Sequence, residues 1–153
     1  MNSSSTDFTL LTGALLIDGT GNSPVENGAI LIKDEEIKAI GQRDSISIPE
    51  HASVTTINYP NKTILPGLID CHVHLTGIGD GRSGDELVTL PDEVLTLQGS
   101  QNAKRHLQSG VTTVRDLGAK NKTTFMLRKS AEMGLVKTPR LLLSGRPITI
   151  IGG

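Results

Sequence analysis

The sequence predicts an α/β chain in two parts: a β-rich segment over residues 1–62, then a strand–helix–strand–helix–strand run over residues 63–153. Three observations carry this expectation. Before residue 62 the apolar runs are short, rich in β-branched residues and separated by turn residues. After it, apolar runs alternate with longer stretches of helix length closed by Gly110 and Gly134, which makes parallel strands with crossovers. Only three aromatics occur (Phe8, Tyr59 and Phe125), so the core must be Leu, Ile and Val, as suits a parallel sheet covered on both faces.

In chain order, Phe8 to Ile17 reads as a strand ended by Asp18-Gly-Thr-Gly21. Ala29–Lys33 and Ile37–Ile40 flank Asp34-Glu-Glu36 and predict a hairpin. Val54 to Asn58 alternates weakly and is closed by Pro60-Asn61, so this half reads as an antiparallel sandwich or a fragment of one. Thr63 to Leu75 predicts one buried strand, followed by a Gly- and Asp-rich loop to Pro91. Asp92 is placed to N-cap a helix reaching about Ser109, with Gly110 at its left-handed C′ position. Val111–Asp116 is a second strand, Thr123 or Thr124 caps a second helix ended by Gly134, and Arg140–Ser144 starts a third strand.

Composition narrows the function classes. With 36% hydrophobic and 20% charged residues, the chain is globular rather than disordered. A net charge of -1 and the scarcity of aromatics argue against a nucleic-acid partner. No apolar run approaches ~18 residues, so no membrane partner is expected. The single cysteine, Cys71, and an N-terminus without a basic or apolar leader predict a cytoplasmic setting.

Chemistry concentrates in Leu65-Pro-Gly-Leu-Ile-Asp-Cys-His-Val-His74. On a strand, side chains alternate faces, so His72 and His74 point the same way, as two ligands of a metal site would. Asp70 shares that face, two residues deeper, and either orients a ligand or is a buried, hydrogen-bonded structural group. Cys71 and Val73 then fall on the opposite face as buried wall residues. Asp116 ends the second strand and either serves the site or caps the strand-to-helix turn. His51 and His106 are expected at the surface.

Taken together, Pro66-Gly-Leu-Ile-Asp-Cys-His-Val-His74, Gly110-Val-Thr-Thr-Val-Arg-Asp-Leu-Gly118 and Pro139-Arg-Leu-Leu-Leu-Ser-Gly-Arg146 resemble the first three barrel strands of the amidohydrolase superfamily. The resemblance is to the branch near imidazolonepropionases and Xaa-Pro dipeptidases, and it covers roughly residues 9 to 153. It implies an incomplete (β/α)8 barrel, its first three strands preceded by a small β-sandwich segment, with a site at the C-terminal strand ends. It implies one or two divalent metals, Zn2+ foremost, held by His72 and His74, and a metal-activated water that cleaves an amide in a dipeptide such as Xaa-Pro or in a cyclic amide. It also implies a small-molecule or dipeptide substrate and a homo-oligomer.

A complete barrel takes about 250 residues. The family's further ligands (a lysine, two histidines and an aspartate) match no position here, so the catalytic residues are expected beyond residue 153 and the chain alone is expected to be incomplete. Two rival functions stay open. One is an inactive fragment or scaffold of the same fold. The other is a dinucleotide-binding module through Gly79-Asp-Gly-Arg-Ser-Gly84, which matches GxGxxG but starts too far past the strand; a substrate loop or lid suits it better.

Overall fold

The computed structural model describes residues 7–81, 89–148 and 150. It divides into two compact units, Met1–Pro66 and Gly67–Gly153.

The first unit is one mixed five-stranded sheet. Its strands are β1 (Asp7–Leu16), β2 (Val25–Glu26), β3 (Gly28–Lys33), β4 (Glu36–Gln42) and β5 (Ser53–Ile64). β1 lies at its centre, with β2 and β3 antiparallel along one edge and β5 parallel along the other. The period-2 pattern places Phe8 and Leu10 of β1 with Ala29 and Leu31 of β3 on one face, and Ile46 from the segment before β5 completes this core. The expected hairpin is present: Lys33 pairs with Glu36 across a two-residue turn in which Asp34 takes φ +55°, a left-handed conformation that aspartate tolerates.

Two expectations for this half do not hold. The sheet is mixed rather than antiparallel, because a 3-10 turn at Arg43–Ser45 and residues 46–52 lead β5 back to run parallel to β1. Alternation fixes which side chains face the core but not the direction of a strand. Nor does Pro60 close β5. The ladder shifts register there, with Gly13 opposite Tyr59 and Leu15 opposite Thr63. A bulge accommodates the missing proline N–H without breaking the strand.

The second unit follows the expected order: β6 (Leu68–Val73), α1 (Asp92–Gln108), β7 (Val111–Asp116), α2 (Thr123–Glu132) and β8 (Arg140–Leu143). The three strands are parallel in the order β6–β7–β8. α1 buries Leu95, Gly99 and Ala103, a stripe at i, i+4 and i+8, and packs on α2. The small residues allow close approach: a Cβ on Gly99 would lie 3.4 Å from Leu127 Cδ2. Val73, Leu75, Val114, Leu127 and Leu141 fill the core between sheet and helices.

Here too the boundaries moved. The run Thr63 to Leu75 is not one strand, because the chain leaves the sheet ladder at Leu65-Pro66-Gly67. Pro66 cannot donate to a ladder, and Gly67 passes so close to Thr112 that a Cβ would lie 2.1 Å from its Oγ1. β6 is also not buried along its length: Leu68 and Ile69 are exposed, because it is an edge strand of this sheet. The helix starts differ as well. Pro91 and Lys122 occupy the N-cap positions without side-chain caps. Asp92 is instead engaged by Asn121 Nδ2, 3.0 Å from its Oδ2, and by Lys120, 3.5 Å from its Oδ1. Gly110 (φ +90°) and Gly134 (φ +73°) follow the helices in left-handed conformation, as expected.

The tightest backbone approach in the first unit is at Gly28, where a Cβ would sit 2.2 Å from Cβ of buried Leu16 and 3.0 Å from its backbone nitrogen. Because the obstacle includes backbone, Gly28→Ala should destabilise the chain by about 1–3 kcal/mol. A lowered urea midpoint with an unchanged slope is the expected result.

Candidate functional site

Between β6 and β7 the ladder shifts register: Asp70 lies beside Val114 and Val73 beside Asp116, three steps on β6 against two on β7. This bulge decides where each residue of the His72–His74 segment goes. Val114 and Val73 belong to the core beneath the helices, so Asp70 lies on the helix side as well. Its carboxylate accepts the His72 backbone N–H at 3.0 Å, and its Oδ2 stands 3.9 Å from His106 Nε2 on α1. His106 is accordingly half-buried rather than fully at the surface, and its Nδ1 donates to Asn102 O at 3.0 Å. His51 is exposed.

Cys71 is exposed, contrary to the expectation of a buried wall residue. It follows Ile69 in alternation on the face that the helices do not cover, together with Arg115, whose Nε donates to Cys71 O at 2.8 Å. The bulge separates Cys71 from Val73, which alternation alone would have kept together.

His72 and His74 are brought together. Their ring centroids are 5.4 Å apart at an interplanar angle of 72°, and both residues are exposed at the C-terminal end of β6. His74 Nδ1 lies 3.1 Å from Gly118 O. A carbonyl only accepts, so Nδ1 carries the proton and the Nε2 lone pair is left for a ligand. This is how metal-binding histidines are commonly oriented. The donor set therefore fits a divalent metal as far as two imidazoles go. Among the described residues no group of three or more His, Cys, Asp or Glu is placed to hold one.

Asp116 is completely buried. Its Oδ2 accepts Leu75 N–H at 2.8 Å and its Oδ1 accepts Gly118 N–H at 3.1 Å. It thus caps the turn after β7 and at the same time holds the residue that follows His74. Burial pushes its carboxyl above the ordinary range, against the opposing pull of the two N–H bonds and of nearby His74.

Two contributors were missed in the sequence. One is the Gly118 carbonyl, invisible in any motif of side chains. The other is Asn102, half-buried in α1, whose Nδ2 donates to Leu75 O at 2.8 Å and to Gly77 O at 2.7 Å. An asparagine amid good helix formers was the available signal, since its side chain disfavours a helix interior unless something holds it. The glycine motif from Gly79 is only partly visible: Gly79 and Gly81 have positive φ, and Arg82 to Gly84 lie outside the described residues, as does the remainder of the expected lid up to residue 88. No helix among the described residues is long and apolar enough to cross a membrane.

Comparison with known proteins locates this geometry. Residues 63–150 match the model of the amidohydrolase family. A 5-methylthioadenosine/S-adenosylhomocysteine deaminase from Nitratidesulfovibrio vulgaris is 30% identical over 124 residues, 71% of this chain and 28% of the relative. An imidazolonepropionase from Brucella abortus is 38% identical over 78 residues, 50% of this chain and 19% of the relative. The crystal structure of a prolidase complexed with N-methylphosphonate-L-proline superposes with a TM-score of 0.72 at 28% identity, covering 90% of this chain and 32% of that one. The chain thus spans less than a third of the length of the two curated relatives.

The raised carboxyl of Asp116 has a thermodynamic consequence. The native state holds a proton there at pH values where the unfolded chain has released it. That contribution to stability is complete below the ordinary carboxylate value and is lost as pH rises through the raised one. In urea titrations between pH 3.5 and 7, on the order of the carboxylate range, wild type should lose stability with rising pH relative to Asp116→Asn. Parallel pH profiles for the two proteins would contradict this.

Proposed function

The chain belongs to the amidohydrolase family, and from that premise we propose that His72 and His74 donate two imidazole nitrogens to a divalent-metal centre of a hydrolase acting on carbon–nitrogen bonds. The observation that carries the proposal is the paired rings at the strand end, with His74 Nδ1 committed to Gly118 O and Nε2 left over. Zn2+ is the metal proposed, because neutral imidazoles suit it and it is the common choice in hydrolytic sites. A catalytic zinc takes about three protein ligands, so the pair is read as part of a ligand set. The three parallel strands are read as the start of a barrel, whose sites lie at this end of the strands.

When bound, such a metal polarises a carbonyl and lowers the pKa of water to about 7. The residues of this chain contribute position. Gly118 O fixes the tautomer and plane of His74, Asp70 holds the His72 backbone N–H, and Asp116 joins the two strand ends. The substrate class proposed is an amide in a dipeptide of Xaa-Pro type or in a cyclic amide, supported by the likeness to a prolidase and an imidazolonepropionase.

In a protein that carries the whole ligand set, elemental analysis after dialysis should find bound Zn2+ and its loss in His72→Ala and in His74→Ala, with amide hydrolysis lost alongside. Retention of metal in both variants would refute the ligand assignment. Metal bound by a protein that carries the whole ligand set, with no turnover of any amide, would leave the centre and remove the hydrolase.

A further inference from the structure

The backbone of Leu75 is held from both sides by side chains of two other elements. Its N–H donates to Asp116 Oδ2 at 2.8 Å, and its carbonyl accepts from Asn102 Nδ2 at 2.8 Å. The same Asn102 nitrogen donates to Gly77 O at 2.7 Å, and Gly77 N–H returns to His74 O at 2.9 Å. The amide of Asn102 cannot be turned over, because its Oδ1 faces two donors, Gln98 Nε2 at 3.3 Å and Arg105 Nη1 at 3.4 Å. On the other side, Asp116 Oδ1 accepts Gly118 N–H, and Gly118 O receives His74 Nδ1. His74 therefore sits inside a closed circuit: its ring is bonded to Gly118, and on its C-terminal side Leu75 is tied to β7 and α1 and Gly77 to α1.

We infer that Asn102 and Asp116 are positioning residues for the metal-binding imidazole of His74, Asn102 by fixing from α1 the height of the turn that follows it, and Asp116 by fixing both that turn and the carbonyl that orients the ring. The inference rests on the proposal that His72 and His74 hold a metal. It adds a helix residue that touches neither imidazole directly. Loss of an oriented partner of this kind costs about 10–100-fold in metal affinity. A role confined to satisfying buried backbone groups would lower stability and leave affinity alone.

The test uses the full chain with Zn2+ as the probe. Zn2+ affinity is read by competition with a chromophoric chelator, and the tautomer of His74 by the nitrogen-15 shifts of its ring in the metal-free protein. Asn102→Ala and Asp116→Asn should bind Zn2+ about 10–100-fold more weakly, with His74 Nδ1 no longer held as the sole protonated nitrogen. Val136→Ala, which trims a side chain packed on the same core, should lower thermal stability and leave both readouts unchanged. If Asp116→Asn does not fold, Asn102→Ala still decides, since alanine is the better helix former. Wild-type affinity and tautomer in Asn102→Ala, with metal lost in His72→Ala, would overturn the inference and leave the metal centre standing. Metal retained in His72→Ala and His74→Ala would instead overturn the metal centre, and the tautomer readout would then decide the positioning role alone.

Discussion

A fully buried carboxylate, that of Asp116, ties the end of β6 to the turn after β7. A charge in an apolar interior is costly unless hydrogen bonds replace the water it has lost. Here two backbone N–H groups do so, and they are N–H groups that would otherwise be unpaired. Parallel strands exchange evenly spaced bonds along their length, but at their C-terminal ends the ladder stops and the chain departs. Leu75 N–H and Gly118 N–H lie in that departure. The carboxyl is displaced upward because burial outweighs these bonds. The group therefore carries an energetic cost for the sake of geometry, as groups near functional sites often do.

The β6 bulge is the second constraint. By inserting one extra residue opposite Val114 to Asp116, it turns Asp70 toward α1 and leaves Cys71 on the face away from the helices. A regular strand would have kept Asp70 in line with the two histidines. The bulge carbonyl of Cys71 is taken up by Arg115 from the neighbouring strand, so the irregularity is braced as well as tolerated. On the same face Ile69 and Leu142 are exposed, whereas Val114 and Leu141, one step along in alternation, are buried under the helices. α1 and α2 thus cover one face of this sheet among the described residues.

Much of this architecture was legible in the residues. The order of strands and helices in the second unit, the left-handed glycines at 110 and 134 and the hairpin at Asp34 follow from periodicity and turn chemistry, which are local. What was not legible is set by partners distant in sequence. The parallel course of β5 depends on which edge of β1 is open to it. Pro60 reads as a stop until a bulge in the ladder admits it. The candidate site divides in the same way. The spacing of His72 and His74 was visible, because two imidazoles at i and i+2 need only an extended backbone to meet. The helix-side placement of Asp70 was hidden, because a bulge leaves no signature in a strand of apolar and polar residues. Asn102 was hidden because its carbonyl partners carry no side-chain identity.

The connection between fold and chemistry lies in what is left over when hydrogen bonds are assigned. At the C-terminal ends of β6 and β7, Asp116 uses both oxygens on backbone N–H groups, and Asn102 uses its nitrogen on two carbonyls and its oxygen on two donors. Each is committed to the scaffold. His74 joins the same network through Nδ1, but an imidazole has a second nitrogen, and Nε2 has no described partner. The network that satisfies the strand ends therefore stops at an atom with a lone pair, held beside a second imidazole 5.4 Å away. Replacing His74 with asparagine could preserve a bond to Gly118 O, yet it would not present an imidazole nitrogen on the far side. That asymmetry between what the fold needs and what the residue offers is the physical support for the proposal that His74 serves a ligand as well as the scaffold.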